Sequence, residues 1–306
     1  MSFKTETRGL WVATLTPQTA DGTVDNARLA THVRTLFAAG VDGVAPFGTT
    51  GEGQSFSTGE RKATLEALLR AGVAADKIIV GIGCAALPDA IDLARHALSQ
   101  GVVRVLQLPP FFFKGIDAAG VEAAFARTID GVADDRLRLF LYHIPQVSAA
   151  PIHHAAIARL VERFPKVVAG IKDSAAEWPH TQTILRQFPQ LAIFVGCEAH
   201  VPQALANGGV GTICGMGNLV PHLMRGIVDT AGKPGNDELV RQIQALVKPI
   251  GSRPFIAASK AVLAHATSDP AWRTVRAPLV TLSAADEKAL LAEFAQVGVP
   301  IYRAAA

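Results

Sequence analysis

The chain has 306 residues, room for one large barrel or two ordinary domains, and its 49% hydrophobic and 18% charged content excludes global disorder. A net charge of +3 with no basic run gives no reason to expect nucleic acid or a membrane surface as partner. No stretch approaches the roughly 20 apolar residues that span a bilayer, and the opening MSFKTETRGLWVATLTP lacks the unbroken apolar core of a signal peptide, so a cytoplasmic protein is expected.

In chain order, short β-branched runs alternate with longer segments of helical period. The first candidate strand, Leu10–Leu15, precedes a segment, Asp25–Ala39, whose apolar residues fall at i, i+3, i+4 and i+7. Asp25 suits its N-cap, and Gly40 stands where a left-handed residue ends a helix. Gly43–Phe47 is the second strand. Thr58–Ala71 follows it behind Ser57, with Glu60 three residues on as in a capping box. Lys77–Gly83 then leads to the helix Leu87–Ser99 and to Gly101, and Val103–Leu108 to the helix Val121–Ile129. Leu137–His143, Val167–Lys172, Leu191–Gly196 and Gly211–Gly215 complete eight strands.

Strands with so little polar alternation suit a parallel sheet covered by helices. Eight strand–helix units in about 230 residues average just under 30 each, the length of one βαβ unit and the total of a closed barrel. An open doubly wound sheet would want G-x-G-x-x-G after the first strand, where the chain has LTPQTADG. The expected fold is therefore α/β, a (β/α)8 TIM barrel over residues 1–232. Residues 233–306 form a helical extension packed on it, with helices Asn236–Val247, Phe255–Ala266 and Ala284–Gln296 and no strand between them. Cys84, Cys197 and Cys214 are far apart and odd in number, which fits neither a disulfide framework nor a zinc site.

In such barrels the chemistry gathers at the carboxyl ends of the strands. Lys172 ends the apolar run Val167–Ile171. A dry site disfavours an ammonium, and a neutral amine adds to a ketone to give an imine that permits C–C bond making or breaking beside it. The same position also suits a lysine that snorkels outward or pairs with Asp173. Tyr142 ends the fifth strand, where a phenol can shuttle protons or simply sit buried with a bonded hydroxyl. Gly48-Thr49-Thr50-Gly51-Glu52 joins two glycines to two hydroxyls, a turn able to cradle a carboxylate or to be no more than a tight turn. Gly196 and Glu198 lie at the end of the seventh strand.

Together ATLTP, GTTGE, YHIP, GIKDS and GGVGTICG, in that order along nearly the whole chain, resemble the dihydrodipicolinate synthase/N-acetylneuraminate lyase family of class I aldolases. The resemblance implies that Lys172 forms a Schiff base with a 2-oxo acid such as pyruvate, that Tyr142 is the acid/base phenol, and that Thr49 and Thr50 hold the carboxylate, Thr49 also serving a hydroxyl relay. Ile213 stands where a backbone carbonyl lines the pyruvate site. The resemblance further implies no metal or organic cofactor and a homotetramer or dimer.

Two departures bear on the second substrate. The synthases place an arginine two residues after the YxxP proline to grip a carboxylate; here that residue is Val147, which has no guanidinium fork. They also complete their relay with a tyrosine where this chain has Phe112. Both argue against 4-hydroxy-tetrahydrodipicolinate synthesis. Sialic acid lyases use an acidic group at the position of Glu198, although their next residue is acidic too and here is Ala199. An aldehyde to be condensed with pyruvate, or a 2-keto-3-deoxy acid to be cleaved to it, stays open as substrate. So does an aromatic adduct, for which Phe111–Phe113 would make an apolar wall.

Two rivals remain. A phosphate-binding barrel would use Gly208-Gly209 and Gly215-Met216-Gly217-Asn218, leaving Lys172 and Tyr142 idle. A 2-oxo acid-binding protein without catalysis would explain the lost relay tyrosine.

Overall fold

Strand-forming runs this apolar are buried on both faces, one against the pore of a barrel and the other against its helices. A computed structural model describes residues 3–301, so residues 302–306 of the expected extension lie outside the described residues, as do residues 1 and 2. Eight parallel strands are present: β1 (Gly9–Val12), β2 (Gly43–Val44), β3 (Val80–Gly81), β4 (Arg104–Gln107), β5 (Arg138–His143), β6 (Val168–Asp173), β7 (Ala192–Val195) and β8 (Gly211–Cys214). β1 pairs with both β2 and β8, and the ladder runs on through β7, β6, β5 and β4 to β3. The Val44–Ile78 bridge and two hydrogen bonds, Ile79 N to Val44 O at 3.0 Å and Gly81 N to Pro46 O at 2.9 Å, close the ring.

Each strand expected from the sequence is there, but most are shorter. β2 stops at Val44 because Pro46 has no N–H to offer and Phe47 turns left-handed at φ 59°. Lys77 closes a 3-10 turn, Ala75–Lys77, before β3 rather than opening it.

The helices that follow the strands are α1 (Asn26–Ala38), α2 (Thr58–Arg70), α3 (Leu87–Ser99), α4 (Ala118–Val132), α5 (His154–Arg163), α6 (Trp178–Gln187), α7 (Val201–Ala206) and α8 (Pro221–Asp229). Asp25 caps α1 by accepting from Arg28 N, and Ser57 with Glu60 forms the expected capping box on α2. Gly40 and Gly101 take φ values of 86° and 82° just past α1 and α3.

Alternate strand residues divide into two apolar clusters. Trp11, Leu106, Phe140 and Phe194 fill the pore, with Trp11 and Phe140 packed on the Phe194 ring at centroid distances of 6.4 and 6.0 Å. Their neighbours Leu10, Val105, Leu139 and Val195 face the other way, joining Leu29, Leu65 and Phe125 of the helices. Each such fully buried side chain contributes roughly 1.5–3 kcal/mol.

After α8 come α9 (Asn236–Gly251), α10 (Phe255–Thr267) and α11 (Ala284–Val297), with a 3-10 turn, Pro270–Arg273, and no strand among the described residues. Ile243, Val262, Leu290 and Phe294 of these helices belong to the same outer cluster. No helix among the described residues is long and apolar enough to cross a membrane.

Candidate active site

Register brings the first two groups together. β5 and β6 pair with Tyr142 opposite Lys172, while Leu141 and Ile171 beside them face the helices. Both side chains therefore point into the pore, each only 3% exposed. Lys172 Nζ sits 4.2 Å from the centroid of the Tyr142 ring, and the Tyr142 hydroxyl lies 3.2 Å from Thr49 Oγ1.

Thr49 is delivered by the turn after β2. Glu52 N bonds Thr49 O at 3.1 Å and Gly53 N bonds Gly48 O at 3.1 Å, folding the turn on itself. A side chain at position 51 would put its Cβ 2.8 Å from Thr14 O, so glycine is required, and Thr16 Oγ1 donates to Gly51 O at 2.7 Å.

Glu52 itself is left-handed (φ 54°) and its carboxylate is fully occupied. It accepts from Lys260 Nζ of α10, from Gln18 Nε2 at 3.1 Å and from Arg276 N at 3.1 Å. Lys260 also donates to Thr274 O at 2.7 Å, and both charged side chains are wholly buried. The ion pair thus bolts the threonine turn to the C-terminal helices.

A cavity of about 330 Å³ opens over these groups. Lys172, Tyr142, Thr49 and Thr50 line it, and so do Gly196, Glu198, Ile213 and Val147. Burial raises the Glu198 carboxyl, although Met216 N donates to it at 3.3 Å and the Lys172 charge works the other way. Three expected residues are not in the wall: Gly48 and Gly51 shape the turn behind it, and Phe112 is 72% exposed, edge-on to Phe113 at 5.3 Å.

Some lining residues were not singled out from the sequence. Ser174 closes the GIKDS motif and Gln146 follows YHIP, Gln146 Nε2 donating to Ser174 O at 2.6 Å, so the strand-end rule reaches the first and stops one residue short of the second. Phe255, Ile256 and Leu279 come from the C-terminal region, where no local pattern points to the barrel mouth.

Behind the site, His143, Asp173 and His180 hold ligand-type atoms within 4.8 Å of one another. The Asp173 carboxylate and one nitrogen of each imidazole are committed to protein, while His180 Nε2 is buried without a partner. His143 Nδ1 accepts from Ile152 N at 3.0 Å, and Asp173 Oδ2 takes Thr181 Oγ1 at 2.6 Å and His180 Nδ1 at 3.2 Å. The His143 and His180 rings stack 4.2 Å apart and 13° from parallel, whereas imidazoles sharing one ion splay around it. Burial works to raise the Asp173 carboxyl, but the hydrogen bonds from His180, Thr181 and Ala175 outweigh it and hold the group below the usual range. The group braces the residues that follow Tyr142 and Lys172.

The phosphate reading loses its supports. Gly208 and Gly209 precede β8 and so lie at the opposite end of the barrel from Lys172. Asn218 spends its amide on Leu15 N, His32, Ala13 O and Gly215 O. Cys84, Cys197 and Cys214 are all free thiols.

Residues 6–296 match the model of the dihydrodipicolinate synthetase family. A protein described as an uncharacterized DapA-like lyase of Chloroflexus aurantiacus is 39% identical, over 95% of this chain and 97% of its own. A 2-dehydro-3-deoxy-D-gluconate/2-dehydro-3-deoxy-phosphogluconate aldolase of Thermoproteus tenax is 29% identical over 75% of this chain and 71% of its own. The crystal structure of dihydrodipicolinate synthase from Agrobacterium tumefaciens superposes with a TM-score of 0.89 at 34% identity, covering 94% of this chain and 99% of that one.

Proposed function

The chain belongs to the dihydrodipicolinate synthetase family and is a lyase of the class I aldolase type, and from that premise we propose that Lys172 captures a 2-oxo acid such as pyruvate as an imine. The observation that carries this is the meeting of one buried amine, one phenol and one threonine hydroxyl at the wall of a single cavity.

Pyruvate enters with its carboxylate on Thr49, Thr50 and the amides of their turn, its keto carbon toward Lys172. The amine adds to that carbon, and Tyr142 supplies the proton with which the former keto oxygen departs as water. The protonated imine then loses a proton from its methyl carbon to give an enamine. That carbon attacks the aldehyde carbonyl; the new C–C bond forms as the aldehyde oxygen takes a proton from the phenol. Water hydrolyses the imine, releasing a 4-hydroxy-2-oxo acid and the free amine. Run backwards, the same steps cleave a 2-keto-3-deoxy acid to pyruvate and an aldehyde. Thr49, 3.2 Å from the phenol, passes the proton onward. Ile213 and Glu198 complete the wall.

The reaction needs neither metal nor organic cofactor, and the partners are the small 2-oxo acid and aldehyde. The protein would work in the cytoplasm as a homotetramer or dimer. Synthesis of 4-hydroxy-tetrahydrodipicolinate is disfavoured because the apolar Val147 lines the cavity where the synthases carry arginine, and Phe112 has no hydroxyl to relay a proton.

Incubation with pyruvate and borohydride tests the reading. Mass spectrometry is expected to find the reduced adduct on the peptide bearing Lys172 and none in Lys172→Ala. An unmodified Lys172 peptide in the parent protein would overturn it. An adduct without turnover of any aldehyde or 2-keto-3-deoxy acid would leave a 2-oxo acid-binding protein.

A further inference from the structure

Beside the Lys172 cavity lies a second of about 350 Å³, and the two share Thr49, Ile144, Val147, Ile256 and Leu279. An adduct growing from Lys172 extends across that common wall. Beyond it Gln54, Ser55 and Ser148 join the lining, Gln54 Nε2 already donating to Gly83 O at 2.8 Å and Ser148 Oγ to Ile144 O at 3.0 Å, and the rest of the surface is apolar, formed by Leu108, Phe111 and Pro278. Sugar hydroxyls pressed against these side chains would give up water without finding partners, at a cost that a ring or alkyl chain does not incur.

Two charged side chains reach the second chamber. Glu52 is neutralised by Lys260 and its oxygens are taken by the turn's own supports. Lys114 is different. It has no carboxylate partner among the described residues; its ammonium donates to the carbonyl of Phe111 and, at 3.4 Å, to that of Ser148. An ammonium carries three donors, so one is left for a ligand. The chamber is thus a mainly apolar slot with one uncompensated cation at its rim.

We propose that this second chamber receives the aldehyde half of the substrate, that this half is an apolar body of aryl size bearing a carboxylate, and that Lys114 is the residue that selects the carboxylate. The inference rests on the imine chemistry at Lys172 and adds the class of its second substrate. Aspartate semialdehyde does not fit the description: its carboxylate comes with an ammonium, which Lys114 repels and the apolar wall leaves unsolvated.

The test supplies pyruvate with benzaldehyde, the three carboxybenzaldehyde isomers, glyceraldehyde and aspartate semialdehyde, and measures kcat/KM for each. At least one carboxybenzaldehyde is expected to lead the series. Its preference over benzaldehyde is expected to fall about tenfold in Lys114→Met and in Lys114→Gln, the second of which keeps a donor for the Ser148 carbonyl without the charge. A parent protein that prefers glyceraldehyde or aspartate semialdehyde, or a carboxylate preference that survives both substitutions, would overturn the proposal. Borohydride trapping of pyruvate in the same parent preparation reports the Lys172 chemistry separately, so a failure there is distinguishable from a failure of selectivity.

Discussion

At the scale of single residues, the proposed proton traffic runs through Tyr142 and Thr49, 3.2 Å apart, with no hydroxyl at position 112 to extend it. The phenol ring also lies against the Lys172 nitrogen, so deleting only its oxygen separates the two contributions. Tyr142→Phe keeps the ring and the packing. It is expected to lower turnover by about 10²–10⁴-fold while pyruvate is still trapped on Lys172, slowly but measurably. Turnover equal to that of the parent would remove the hydroxyl from the mechanism. Sequence reasoning reached Tyr142 and Lys172 because each ends an apolar run, and strand ends are where a barrel exposes side chains to its mouth.

At the scale of elements, the contact between the turn after β2 and helix α10 runs through the wholly buried Glu52–Lys260 pair. Removing one partner leaves the other charged and dry, which in general costs 3–5 kcal/mol. Lys260→Met is therefore expected to lower the thermal midpoint sharply and to weaken pyruvate capture, since the freed turn carries Thr49 and Thr50. Glu52→Gln combined with Lys260→Met should recover much of the stability, because no lone charge remains. Equal midpoints for the single and double variants, followed by calorimetry, would contradict this account. The pair also shows where sequence reading ran out. All eight strands and the capping of α1 and α2 were readable from periodicity and local side-chain chemistry. Phe255, Ile256 and Leu279 were not: they reach the cavity only through folding of a segment more than 80 residues beyond Lys172, and no local pattern encodes that meeting. The short extents of β2 and β3 were hidden for a related reason, since a run of apolar residues does not reveal where Pro46 and the reversed backbone at Phe47 end the ladder.

At the scale of the whole molecule, acid should loosen the fold through two imidazoles on opposite sides of the site. Burial lowers His32 from 6.5 to about 4 against the opposing effect of its hydrogen bond to Asn218 Oδ1. Burial, and then the charge of His180, lowers His143 to about 4. Both groups bind protons more readily when unfolded, so their contribution is complete above pH about 6.5 and is lost as pH falls toward 4, about 3 kcal/mol for each. Glu198, raised by burial, acts in the opposite direction, while His154 and His200, both lowered by burial, add to the loss. Urea midpoints are expected to drop between pH 6.5 and 4, and His32→Gln to flatten part of the slope; a level profile would refute the assignment.

The pairing of Tyr142 with Lys172 across β5 and β6 has a consequence for how such a scaffold diversifies. The spacing of amine and phenol is inherited from main-chain register, and a slip of either strand by one position would turn its member of the pair toward the helices. Val147 and Lys114, by contrast, stand outside the strands, on segments whose exchange leaves that register untouched. New aldehydes can be recruited by rewriting those segments while the reaction itself is carried forward unchanged.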